Sequence, residues 1–216
     1  MTKVKVTLLA LSLVCLSTMA SSCTSTGAAR GHADLLSTGL VGWQQIGGQT
    51  GSWRFRSGVL STDGSAGGWL STVRQYGDFR LSLEFRIAPG GNSGVFIRAP
   101  HEGDPAYAGL EIQILDDYAE PHEGLAAAQY TASIYDVQAP SERASKAADE
   151  WQRMVITCKG PCVKVVLNGR RVIDTNLTYF PYKYAAHPGL ARSAGYIGLQ
   201  NHGSRVEFRD IRIEAL

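Results

Sequence analysis

The chain has 216 residues, with 21 Lys and Arg against 19 Asp and Glu. A balance this close to neutral excludes the basic stripe of a nucleic-acid-binding surface. No Walker-type phosphate loop, Rossmann glycine pattern or zinc-ligand spacing occurs in it. The elements follow in chain order. Lys3 and Lys5 precede an apolar run over residues 6–20, shorter than the ~20 residues a bilayer span needs. Basic start plus short apolar run predicts an export signal over residues 1–22. Small residues before Cys23, in "MASSC", resemble a bacterial lipoprotein cleavage box, which makes Cys23 the expected lipid attachment site. Plain cleavage near Ala20 is the alternative. Residues 23–34 are small, polar and aperiodic, and read as a tether. Residues 35–216 are then one exported domain, held to the bacterial envelope, in the periplasm or at the outer membrane, through its lipid alone.

Beyond the tether the period is two, the period of strands. "WRFRSGVLST" turns at Ser57-Gly58. "DFRLSLEFRIA" alternates Phe79, Leu81, Leu83, Phe85 and Ile87 with Arg80, Ser82, Glu84 and Arg86, a half-buried antiparallel strand ended by Pro89-Gly90-Gly91. "SGVFIRA", "GLEIQIL", "ASIYDVQA", "WQRMVITC", "CVKVVLNGRRVID", "GYIGLQNHG" and "VEFRDIRIEA" follow, with Asn168-Gly169 a strong two-residue hairpin signal. Residues 116–130, 140–150 and 178–194 read as loops. Ten or more short strands predict an all-β fold of two packed antiparallel sheets, a sandwich or jelly roll. Of the four cysteines, Cys158 and Cys162 flank a turn at Lys159-Gly160-Pro161. Export favours a disulfide there, with two free thiols as the alternative.

Alternation also sorts side chains by face. Val95 and Ile97, Leu110, Ile112 and Ile114, and Ile197 and Leu199 point to the core. Arg98, Glu111, Gln113, Tyr196, Gln200 and His202 fall on the opposite face, with glycines beside them. Planar hydrogen-bonding groups and aromatics on one face suit sugar hydroxyls and sugar rings, so this face is the predicted ligand surface.

The motifs "GWQQIG", "GGWLST", "YGDFRLSLEFRI", "GGNSGVFIRAP", "GLEIQILDD", "SIYDVQAP", "EWQRMVITCKG", "VVLNGRRVIDT" and "GYIGLQNHGSRVEFRDIRI", in this order, resemble the 3-keto-disaccharide hydrolase domain family. The resemblance covers residues 35–216. It implies a jelly roll of the concanavalin A-like lectin and glucanase type, acting on glycosides or oligosaccharides already oxidised at C3. Trp69 and Tyr135 lie in these motifs as aromatic substrate-binding candidates beside Arg98, Gln113 and Gln200. A non-catalytic, lectin-like carbohydrate-binding module is the alternative function.

Chemistry narrows the choice. Laminarinase-type glucanases carry a strand with acids where this one has Glu111, Gln113 and Asp116. A retaining glycosidase needs two carboxyls about 5–5.5 Å apart, yet Glu111 and Asp116 stand ~16 Å apart on a straight strand. Gln113 is neutral and shares no proton. A 3-keto substrate asks for less, because the ketone acidifies the C2 hydrogen. One base removes it, the C1 group leaves by elimination, and water adds back. Glu111 or His202 is the candidate base. Asp116 or His101 is the candidate acid for the leaving oxygen. Arg98, or a divalent metal ion, is the candidate partner of the enolate. No spacing among His101, Glu102, Asp104, Asp116, Asp117, His122 and Glu123 is a recognised metal code, so no metal ligand is assigned.

Overall fold

The computed structural model describes Met1 and residues 32–65 and 67–216. The expected export signal, Cys23 and most of the tether lie outside the described residues. Strands run β1 Ala33–Asp34, β2 Trp43–Ile46, β3 Trp53–Arg56, β4 Val59–Thr62, β5 Trp69–Tyr76, β6 Phe79–Ile87 and β7 Asn92–Ala99. A short helix, α1 Pro105–Ala108, precedes β8 Leu110–Leu115. Then come β9 Gln152–Lys159, β10 Cys162–Leu167, β11 Arg170–Asn176, β12 Gly195–Gln200 and β13 Val206–Ala215.

They form two antiparallel sheets. The larger has the order β11-β10-β9-β6-β13-β4-β3, with β1 added on β13; the smaller has the order β2-β5-β12-β7-β8. Ala33 and Asp34, expected at the end of the tether, thus belong to the sheet, opposite Ile213 and Arg212. Period-two alternation accounts for the packing. Leu81, Leu83, Phe85 and Ile87 of the large sheet share one core with Val95, Ile97, Ile112, Ile114, Ile197 and Leu199 of the small sheet, all buried. Burying apolar area is the main favourable term in assembling such a sandwich.

The turn signals act where expected. Ser57-Gly58 and Asn168-Gly169 both have positive φ at both positions, the requirement of a hairpin turn that matches strand twist. One predicted strand is absent as such. "ASIYDVQA" folds into a tight turn with only isolated bridges, Ile112 to Ile134 and Ile134 to Gln138. Its backbone bonds the outer edge of β8 through Gln113 N to Ser133 O and Tyr135 N to Glu111 O. It covers an edge strand that would otherwise be open to pairing.

The disulfide expectation is corrected. Cys158 and Cys162 are free thiols, Cys158 buried and Cys162 exposed. In the β9–β10 ladder Cys158 stands opposite Val163 and Cys162 opposite Lys159. Adjacent positions of a strand point to opposite faces, so one thiol enters the core and the other leaves it. Burial pushes the Cys158 thiol up to about 12.

Candidate active site on the small sheet

The face of the small sheet turned away from the core carries an open pocket of about 390 Å³. Its floor is laid by β5, β7, β8 and β12. Glu111 and Gln113 rise from β8, Asn92 and Phe96 from β7, Trp69 from β5 and Gln200 from β12. Asn201 and His202 follow β12 at the rim, and Asp104, Tyr107 and Tyr135 build the opposite wall. Of the expected site residues, Trp69, Glu111, Gln113, Tyr135, Gln200 and His202 meet in one pocket.

Two glycines clear the floor. Gly94 stands opposite Gln113 in the ladder, and Phe96 opposite Glu111. A Cβ at Gly94 would lie 2.1 Å from Glu111 Oε1, so the missing side chain is the space the carboxylate occupies. At Gly198 a Cβ would lie 2.3 Å from the Trp69 ring. Trp69 therefore lies across β12 and meets Phe96 edge-on at 5.5 Å.

The wall comes from α1. Asp104 caps it, accepting from Ala106 N at 3.0 Å, and Pro105 opens it where a missing N–H costs nothing. Gly109 ends it so close to β7 that a Cβ would lie 2.5 Å from Ala99 Cα. Tyr107 is thereby held over the sheet, edge-on to Tyr135 at 6.3 Å and against the buried His187 ring at 4.9 Å. Asp104, Tyr107, Asn92 and Asn201 were not selected from sequence. For Asp104 and Tyr107 a capping Asp followed by Pro was the only signal, and four residues are too few to show a helical period.

Electrostatics single out Glu111. It is 4 % exposed. Its carboxyl is pushed up to about 8, first by burial and then by the charge of Asp104, while the Gln200 amide beside it pulls the other way. A carboxyl in this range stays mostly protonated at neutral pH and, once ionised, is a stronger base than an ordinary carboxylate. Tyr107 and Tyr135 are also raised, chiefly by burial. Gln200 Oε1 and Asn92 Oδ1 are buried without a hydrogen-bond donor among the described residues. Such acceptors in a pocket wall match ligand hydroxyls.

Three expected site residues lie elsewhere. Arg98 is 1 % exposed and outside the pocket. Opposite Tyr196–Gly198, β7 carries an extra residue, and Arg98 has φ +51°. This bulge breaks the alternation that predicted its direction. Its guanidinium donates instead to Gly77 O at 3.2 Å, Arg192 O at 3.1 Å and Asp78 Oδ1 at 3.4 Å. Asp116 lies just past the end of β8, where its carboxylate accepts from Gly90 N at 2.9 Å and Tyr118 N at 3.3 Å. It holds a turn and does not reach the pocket. His101 is likewise engaged: Nε2 lies 2.9 Å from Ser71 Oγ and 3.1 Å from Gln44 Nε2, and the ring stacks on Tyr196 at 3.6 Å.

The acids at the strand ends are mostly spent on their own loops. Asp117 binds Thr131 and Ser145, and His122 Nδ1 donates to Asp116 O. Among the described residues no group of three or more His, Cys, Asp or Glu side chains converges as a metal site.

Fold and site together define a two-sheet sandwich of the lectin and glucanase kind, with a polar, aromatic-walled pocket around one buried carboxyl. The chain belongs to the family of 3-keto-alpha-glucoside-1,2-lyase-like domains, whose family model matches residues 34–214. It is 25% identical over 203 residues to a 3-keto-disaccharide hydrolase of Bacteroides thetaiotaomicron, covering 76% of this chain and 70% of that one. A crystal structure from Parabacteroides distasonis, provisionally assigned as a glycosyl hydrolase, superposes with a TM-score of 0.77 at 26% identity, over 86% of this chain and 100% of that one. The carbohydrate-binding module CBM66 from Bacillus subtilis shares the fold, with a TM-score of 0.54 at 16% identity over 81% of this chain and 94% of that one.

Proposed function

We propose that the protein cleaves 3-keto-glycosides, 3-keto-disaccharides among them, by proton abstraction at C2, elimination at C1 and rehydration. The observation that carries the reading is Glu111, a lone buried carboxyl with its acidity tuned to about 8 on the floor of a sugar-sized polar pocket. An ordinary retaining glycosidase needs a second carboxyl as nucleophile or acid about 5–5.5 Å away. Asp116, the candidate for that part, is tied into a turn. Asp104, the other acid of the pocket, has one oxygen committed to capping α1.

Ionised Glu111 takes the C2 hydrogen, and the electron pair moves into the C2–C3 bond as the ketone becomes an enolate. The pair then returns to form C1=C2 while the C1–oxygen bond breaks. His202, at the exposed rim, protonates the departing oxygen. Water adds its hydroxyl to C1 and gives its other proton to His202, protonated Glu111 returns its proton to C2, and the sum is hydrolysis. Trp69 and Tyr107 present ring faces and edges to the sugar, and Gln200 and Asn92 accept from its hydroxyls. The family match and the hydrolase relative support the same reading. The expected lipid at Cys23 would hold the domain on the envelope.

The test is Glu111→Gln. It removes the base at nearly constant volume and is expected to abolish release of the aglycone from a 3-keto-glucoside while the thermal transition stays cooperative. Wild-type turnover in that variant would sink the proposal. A carbohydrate-binding module would show the opposite profile, binding the parent sugar with no turnover in either form.

A further inference from the structure

The elimination has one part still unassigned, the group that meets the enolate oxygen, since Arg98 lies outside the pocket. We infer that the side-chain amide of Gln113 donates the hydrogen bond that stabilises the developing negative charge on the C3 oxygen. The inference rests on the proposed elimination and completes it.

Gln113 is 3 % exposed and lines the pocket. Its Oε1 accepts from the backbone N–H of Ile114 at 3.0 Å. That bond decides which end of the amide faces the ligand, because only the carbonyl end can accept an N–H. The NH₂ end makes no hydrogen bond to the fold among the described residues, and the residue lines the pocket. Gly94 opposite it contributes no side chain to compete for that position.

Position agrees with the role. Glu111 and Gln113 are two residues apart on one face of a regular strand, about 7 Å between Cα atoms. A base over C2 and a donor in line with the adjacent C3 oxygen need neighbouring supports of this kind, each making a contact of ~3 Å. Charge agrees as well. An arginine at this point would favour ionised Glu111 and weaken it as a base. A neutral amide stabilises the oxyanion without discharging the base beside it. An oriented donor that meets charge only as it develops acts on the transition state more than on the bound substrate. The buried oxygens Gln200 Oε1 and Asn92 Oδ1 can only accept, so they suit sugar hydroxyls and not an oxyanion.

The reading is tested on enolate formation alone. A 3-keto C-glycoside, whose C1 substituent cannot leave, is incubated in deuterium oxide with wild type, Gln113→Glu and Gln113→Leu, and incorporation at C2 is followed by NMR. Gln113→Glu keeps the acceptor for Ile114 N–H and loses the donor; Gln113→Leu loses both, and its melting temperature controls for folding. Wild type is expected to exchange C2, and Gln113→Glu to exchange about 10²–10³-fold more slowly, the typical cost of one oxyanion donor. On a cleavable 3-keto-glucoside the loss is expected in kcat, with KM changed less than threefold. Exchange by folded Gln113→Glu within threefold of wild type overturns the role of Gln113. Wild type that neither exchanges C2 nor cleaves overturns the elimination itself, and this inference with it.

Discussion

A methyl group added at Gly94 would meet Glu111 Oε1 at 2.1 Å. Gly94 has no positive φ, so alanine is acceptable to the backbone there and the conflict is with the carboxylate alone. Gly94→Ala is expected to lower kcat by roughly 10²-fold, the scale of a 1 Å misplacement of a reacting group, with KM and melting temperature near wild type. Steady-state kinetics and calorimetry read the two effects separately. The raised acidity of Glu111 also sets two pH dependences. As a base it must be ionised, so kcat/KM rises with pH through about 8. The stability effect runs the other way. Below its unfolded-state value Glu111 is protonated whether folded or not, and the protein loses nothing. Between that value and about 8 the unfolded state releases a proton that the folded state keeps, so stability falls as pH rises. Glu111→Gln is therefore expected to match wild type in melting temperature near pH 4 and to exceed it at pH 9. Equal transitions at both pH values would contradict the burial argument.

At the scale of elements, β8 and β12 show what alternation can and cannot place. Glu111 and Gln113 were legible because β8 is regular, and Gln200 because the end of β12 is regular. Arg98 was not, because its bulge inserts a residue and turns the side chain off the predicted face. A bulge leaves no mark in a hydrophobic pattern. Asp116 fits a glucanase-like spacing only on paper, since the strand ends at Leu115 and the chain turns. The pocket wall was illegible for another reason: Tyr107 and Asp104 reach the site through four helical residues that only tertiary contact with β7 and β8 stabilises. Arg98 is accordingly a support for the fold. Arg98→Met leaves the buried carbonyls of Gly77 and Arg192 without donors, each costing ~1–3 kcal/mol. It is expected to lower the melting temperature markedly while the folded enzyme retains kcat within about threefold, as urea titration alongside kinetics would show.

Across the whole molecule, two sheets divide the labour. Pairing on the large sheet and the shared core carry stability, and the small sheet offers its outer face to a ligand. The two-sheet sandwich was legible from the alternation and short turns; the strand order was not, since β6 pairs with the distant β9 and β13. The pairing of cysteines depended on ladder register, which two strands of similar composition do not reveal. Because Cys158 and Cys162 point to opposite faces, a reductant is expected to leave the melting temperature unchanged. At the amino end, the proposed lipid anchor predicts that Cys23→Ser moves the protein from the membrane fraction to the soluble fraction in cell fractionation; wild-type partitioning in that variant would remove the anchor from the account. The central claim is met most directly by a paired assay: purified protein with a 3-keto-glucoside and, separately, with the unoxidised parent glucoside, following release of the aglycone. Release from the 3-keto substrate alone is the predicted result. Equal release from both, or binding of either without release, would contradict it.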